Sequence, residues 1–208
     1  GVQAMPAAER PRLLYVGIPA GSLIVANGGI ELHSETGRSK RGLTRMDPSL
    51  VALSQHTGEA LGQWRLPDPR LSIRHLAWNP VSRRVGIALQ AEHDDEAPRD
   101  SAPLLAWWDG AGLSAAAPQP GLAGYGGDVC ALPTGGFCVS ATRAGVLVFY
   151  DAQGAVASTQ PLASAGALAA QGSHWWAAGA ANGLSNEATD QPPQAFTHDF
   201  RLDNHWLV

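Results

Sequence analysis

Val129–Ala141, VCALPTGGFCVSA, followed by Val146–Leu162, VLVFYDAQGAVASTQPL, decides the fold of this 208-residue chain. Each stretch reads as an apolar strand, a tight turn and a second apolar strand. The turns Leu132–Pro133–Thr134–Gly135–Gly136 and Asp151–Ala152–Gln153–Gly154 carry the glycines that supply φ > 0 in hairpins. Two hairpins in succession make a four-stranded antiparallel sheet. The same order recurs upstream, in Leu13–Asn27 with Leu50–Leu66 and in His75–Leu89 with Leu104–Ala115. Leu168–Gly179 opens a fourth unit.

Aligning the ends of the second strands at Ala26, Ala88, Ser140 and Ala178 gives intervals of 62, 52 and 38 residues. Their mean of about 51 suits a propeller blade, whose repeat is roughly 40–50 residues. No window shows helical periodicity apart from Ser158–Ala170, which is Ala-rich but holds Pro161 and Gly166. The expectation is an all-β β-propeller domain over residues 1–208, with about four blades. Four units are few for a closed ring, so the chain is expected to be the C-terminal part of a longer one.

Composition narrows the function. A net charge of -4 argues against broad electrostatic binding of nucleic acid or an anionic membrane. Lys40 is the only lysine, and the cluster Arg38–Lys40–Arg41–Arg45 reads as a solvated loop. No apolar run reaches the roughly 18 residues of a membrane span. The N-terminus carries no signal-peptide pattern, and a signal already cleaved would leave the same sequence. Cys130 and Cys138 flank a hairpin turn, a spacing that fits either a disulfide or two facing buried thiols.

Polar residues gather at strand ends. Val25–Ala26–Asn27–Gly28–Gly29–Ile30–Glu31–Leu32–His33 leads from an apolar strand into Asn, Glu and His, and on to Arg38. Arg74 and His75 open another strand pair, and Asp203, Asn204 and His205 lie near the last residue. In a propeller, loops from equivalent strand ends meet on one face, so these nine residues are the candidate ligand- or partner-binding set. His33, His75 and His205 are the candidate metal ligands, because imidazole suits Zn, Cu and Fe. Two simpler readings stand beside this one. Asn27 with Gly28–Gly29 fits an obligatory turn, and Arg74 and Asp203 fit loop-tying charged hydrogen bonds.

Trp107–Trp108 and Trp175–Trp176 should each split between the two faces of a strand. His93–Asp94–Asp95–Glu96 reads as an acidic turn. No nucleophile elbow, zinc-protease helix, phosphate loop or dinucleotide fingerprint is present, which makes a non-enzymatic role the leading expectation.

The motif from Val25 to His33, then Thr36–Gly37–Arg38, Met46–Asp47–Pro48–Ser49–Leu50, Leu71–Ser72–Ile73–Arg74–His75–Leu76–Ala77 and Asp203–Asn204–His205–Trp206–Leu207–Val208, resembles the bacterial family called domain of unknown function 1513. The resemblance implies a seven-bladed WD40-like propeller, exported to the periplasm and associated with iron-uptake loci. The leading expectation is a binding module that docks a partner protein or a metal-containing ligand on its loop face. The alternatives are a metal-dependent or quinoprotein-like propeller enzyme and a structural scaffold. The family's Gly-Pro-His-Glu segment is replaced here by Tyr15–Val16–Gly17–Ile18–Pro19–Ala20–Gly21.

Overall fold

The computed structural model describes residues 14–18, 21–30, 43–180, 182–187 and 193–197. They form four antiparallel sheets of four strands, each sheet a meander in chain order. Sheet I holds β1 (Leu14–Ile18), β2 (Ser22–Asn27), β3 (Ser49–Ser54) and β4 (Ala60–Trp64). Sheet II holds β5 (Leu71–Asn79), β6 (Arg84–Ala91), β7 (Leu105–Trp108) and β8 (Leu113–Ala115). Sheet III holds β9 (Gly126–Ala131), β10 (Phe137–Ala141), β11 (Val146–Tyr150) and β12 (Val156–Pro161). Sheet IV holds β13 (Leu168–Gln171), β14 (His174–Ala178), β15 (Asn182–Glu187) and β16 (Gln194–Thr197).

The first strands of successive sheets, β1, β5, β9 and β13, pack side by side. The sheets therefore fan from a common axis as blades, and the all-β propeller expectation holds. All seven hairpin segments read from the sequence are hairpins here. The eighth, β15–β16, had no clear signal, since Asn182–Glu187 (NGLSNE) is mostly polar and small. Ser158–Ala170 is no helix: it spans the end of β12, a turn and the start of β13. Pro161 closes the strand, and Ala163–Ala167 supplies the connection.

Three apolar layers lie between the blades. Alternation along each strand sends one set of side chains to each neighbour. Ile24, Leu50, Ile73, Ile87 and Trp108 fill the layer between sheets I and II. Leu105, Val129, Phe137, Val139 and Tyr150 fill the next, and Leu147, Leu168, Trp175 and Leu184 fill the third. The tryptophan pairs split as expected: Trp108 is buried toward sheet I while Trp107 packs toward sheet III. Trp175 is in the third layer, and Trp176 stacks on His174 at 5.9 Å.

Polar ties cross the layers where apolar packing alone would let blades slide. Asn79 is fully buried at the end of β5. Its Nδ2 donates to Leu132 O at 3.0 Å and Gly136 O at 2.8 Å in sheet III. Its Oδ1 accepts from Val81 N, closing its own turn. One side chain thus sets the β5–β6 turn and pins the next blade's hairpin to it. Asn79→Ala should destabilise the protein by about 2–4 kcal/mol, since it deletes two bonds to the next blade and the bond that closes its own turn, all from a fully buried side chain. Urea unfolding followed by tryptophan fluorescence measures this.

Candidate functional site

The two ends of the blades differ. At one end the strands are joined by connections of two to six residues, among them 80–83, 109–112, 132–136 and 172–173. At the other lie the long connections from Asn27 to Ser49, Ala91 to Leu105 and Ala115 to Gly126. Asn27, Arg74 and His75 all lie toward this loop end. Tight hairpins fix the scaffold, and long loops on rigid strand ends are where folds place binding groups.

Asn27 is a turn residue. Its Oδ1 accepts from Gly29 N at 3.1 Å, and its Nδ2 donates to Ser49 Oγ at 3.4 Å. Gly29 has φ +72, and a Cβ there would run into the backbone of Asp47 and Pro48. The turn lies on the neighbouring blade: Ser72 Oγ donates to Gly28 O at 2.6 Å, and Arg74 Nη1 lies 3.5 Å from where a Gly28 Cβ would stand. Asn27 and Arg74, distant in sequence, thus share one part of the loop end.

Arg74 and His75 owe their placement to a β-bulge. Ile73 pairs with Leu89 and Leu76 with Ile87, so both residues oppose Ala88 alone. Such two-against-one bulges re-aim side chains and recur beside active sites. The bulge repeats around the axis. In sheet III, Gly127 and Asp128 oppose Ser140. In sheet IV, Gly166 N donates to Ala178 O and Ala178 N donates to Ala167 O, leaving Gly166–Ala167 against Ala178. Three of the four positions used to align the repeat are therefore the residues facing a bulge.

Arg74 turns toward Glu92, with Nη2 3.3 Å from Oε1. The Glu92 side chain is 6% exposed and that of Arg74 is 22%, so a nearly buried carboxylate holds a guanidinium that still reaches solvent. Arg74 Nε is buried without a hydrogen-bond partner. On the other side of the bulge, His75 Nδ1 lies 3.5 Å from Asp128 Oδ1. Asp128 Oδ1 accepts from Val129 N at 2.8 Å, and its Oδ2 accepts from Leu168 N at 2.9 Å. Its own N–H donates to Ser140 Oγ. One buried carboxylate joins sheets II, III and IV.

Farther out, His93 Nε2 meets Asp68 Oδ2 at 2.9 Å, and Arg70 Nη2 lies 2.8 Å from Asp94 Oδ1. The acidic turn is thus latched to the loop that precedes β5. Asp47 accepts a two-pronged contact from Arg65, at 2.6 and 2.8 Å, which holds its carboxyl below the ordinary value. Glu31, His33, Arg38, Asp203, Asn204 and His205 lie outside the described residues. So do two of the three candidate metal ligands. Among the described residues, no three His, Cys, Asp or Glu side chains are gathered for a metal ion.

The sequence model of the family described as Protein of unknown function (DUF1513) matches residues 16–208. The chain belongs to this family. A search of curated proteins finds no match. Among solved structures, the one titled "Structure of U3-55K" is 12% identical with a TM-score of 0.64, covering 94% of this chain and 56% of that one. Selenomethionine-substituted virginiamycin B lyase from Staphylococcus aureus is 10% identical with a TM-score of 0.62, covering 90% and 55%. At such identities the likeness shows the fold alone. The chain spans about half the length of these structures.

Glu92, Ser72 and Asp128 escaped the sequence reading. Asp128 had a signal, since Gly127–Asp128 precedes an apolar strand as Arg74–His75 does. Asp128→Ala should cost about 2–4 kcal/mol in urea unfolding, by leaving two backbone donors unpaired. Asp128→Asn should cost most of this, because its NH₂ faces one of those donors. His75→Ala should cost less, and its effect should shrink in the Asp128→Ala background.

Asp47 gives a pH test. Its folded carboxyl titrates lower than in the unfolded chain, so the Arg65 contact stabilises fully above the unfolded value and is lost as pH falls through the folded one. A carbon-detected NMR titration should show Asp47 titrating low, and Arg65→Ala should return it to the ordinary range.

Proposed function

We propose that this chain is a binding module whose loop face docks a metal-containing ligand or a partner protein, in the periplasm and in the service of iron acquisition. One observation carries the docking reading: at a bulge in an innermost strand Arg74 turns toward Glu92, just past Ala91 at the end of the blades that bears the long loops. A guanidinium held by one carboxylate and still 22% exposed suits an anionic group on the arriving molecule. The setting rests on what the family resemblance implies. Glu31, His33, Arg38, Asp203, Asn204 and His205 complete the proposed surface.

We also propose that the four blades are one arc of a larger ring. Support comes from the half-length coverage of the structural relatives and from the outward face of sheet I. There Leu23, Val51 and Leu53 are half-buried and Leu61 is 60% exposed, an apolar pattern that matches the faces buried between blades.

Ferric citrate and haemin are the probes for the ligand, read by quenching of the chain's 7 tryptophans and by metal analysis after gel filtration. Saturable binding weakened about tenfold by Arg74→Ala, and less by Arg74→Lys, is the expected result. For a protein partner, a photo-crosslinker at Asp95 on the loop end should capture a periplasmic protein that one at Val81, on the hairpin end, does not. No saturation by either probe together with equal capture from both ends would overturn the reading.

A further inference from the structure

Cys130 and Cys138 are the two cysteines of the chain. They are direct cross-strand partners on β9 and β10, both free and both buried, at 4% and 0% exposure. Leu132 N donates to Gly136 O, so two residues along each strand the cysteines again occupy a hydrogen-bonded position. Cα atoms stand about 5.5 Å apart at such positions, which is the commonest span of a disulfide. Both point toward sheet IV, among Leu147, Leu162, Leu168 and Trp175. Asp128 and Ser140 form the neighbouring rung on the same face, so the thiols lie directly beneath the carboxylate that joins three blades.

We propose that Cys130 and Cys138 are a disulfide-forming pair, closed by exchange with a disulfide oxidant, which clamps β9 to β10 beneath the Asp128 latch. Cys138 is wholly enclosed, and burial raises its thiol well above the ordinary value. Cys130, the more accessible, therefore reacts first. Its thiolate attacks one sulfur of the oxidant, forms a mixed disulfide and expels the other half as a thiolate. Cys138 then gives up its proton and attacks Cys130 Sγ, releasing the second thiolate. Two protein thiols lose two electrons and two protons, and the oxidant's disulfide becomes two thiols.

The test exposes the folded wild-type protein to oxidised glutathione and, in parallel, to a reducing agent. Thiols are then counted in denaturant and peptides mapped by mass. The expected result is loss of both thiols, a peptide spanning Cys130 and Cys138 lighter by two hydrogens, and a higher melting temperature than the reduced form. Cys130→Ser and Cys138→Ser should each lose the melting shift, and Cys138→Ser should stop at the glutathione adduct. Two thiols that persist, separate adducts on each cysteine, or disulfide-linked dimers would overturn the proposal. The wild-type count decides the matter even where a variant fails to fold.

Discussion

Asp128 holds the place where the blades could most easily part. A carboxylate buried beside apolar layers is costly unless its oxygens are engaged. Here one oxygen accepts from Val129 and the other from Leu168, with His75 at the edge. Both acceptor bonds are to backbone, so they constrain strands rather than side chains. Leu168 N belongs to the start of β13, and Val129 N to the strand just past the bulge of β9. The carboxylate thereby sets the height of sheet IV against sheet III, while the histidine sets sheet II. Apolar packing between flat sheets resists separation but has little preference among small sliding displacements. A few directional bonds of this kind, with Asn79 at the opposite end of the blades, choose one register.

The bulges follow from the same geometry. An innermost strand must pack against two neighbours while its sheet twists, and an extra residue near its start raises the local twist. In sheets III and IV the first bulge position is glycine, Gly127 and Gly166. A Cβ on Gly127 would collide with Thr142 and Ser140. In sheet II the same position is Arg74, a long side chain that bends away toward Glu92. The chain thus spends the least permissive position of one blade on a charged group. Its neighbours, at the equivalent point, carry no side chain at all. That contrast singles out Arg74 among the bulge residues.

Much of the fold was legible because hairpins write themselves locally. Apolar alternation on either side of a Gly-containing turn is a short-range signal, and seven of the eight hairpins carried it. β15–β16 did not, since the residues of β15 are mostly small and polar; β15 forms by pairing with β14, and β16 by pairing with β15. Ser158–Ala170 showed the converse, where alanine content favoured a helix but Pro161 and sheet pairing overrode it. The site was less legible. Asn27 and Arg74 stood out as polar groups at strand ends, and their convergence follows from blade order. Glu92 and Asp128 did not, because what makes them matter is burial and a bulge register, which only pairing across strands defines.

Arg74 and His75 also show how a single bulge can divide two tasks. On one side His75 meets Asp128, within the bonds that fix the blades. On the other Arg74 meets Glu92, whose backbone N–H donates to Arg70 O at 2.8 Å and so is rooted in the loop before β5. Glu92 offsets the charge of Arg74 without filling its hydrogen-bonding capacity, since Nε stays unpartnered. A guanidinium left in that state has lost part of its hydration and has not recovered it from protein. The deficit is tolerable because the rigid strand beneath, fastened by the adjacent histidine and Asp128, prevents Arg74 from swinging fully into water. Architecture and the proposed recognition therefore meet in two consecutive residues: the latch at His75 holds the strand from which Arg74 would reach the proposed anionic group.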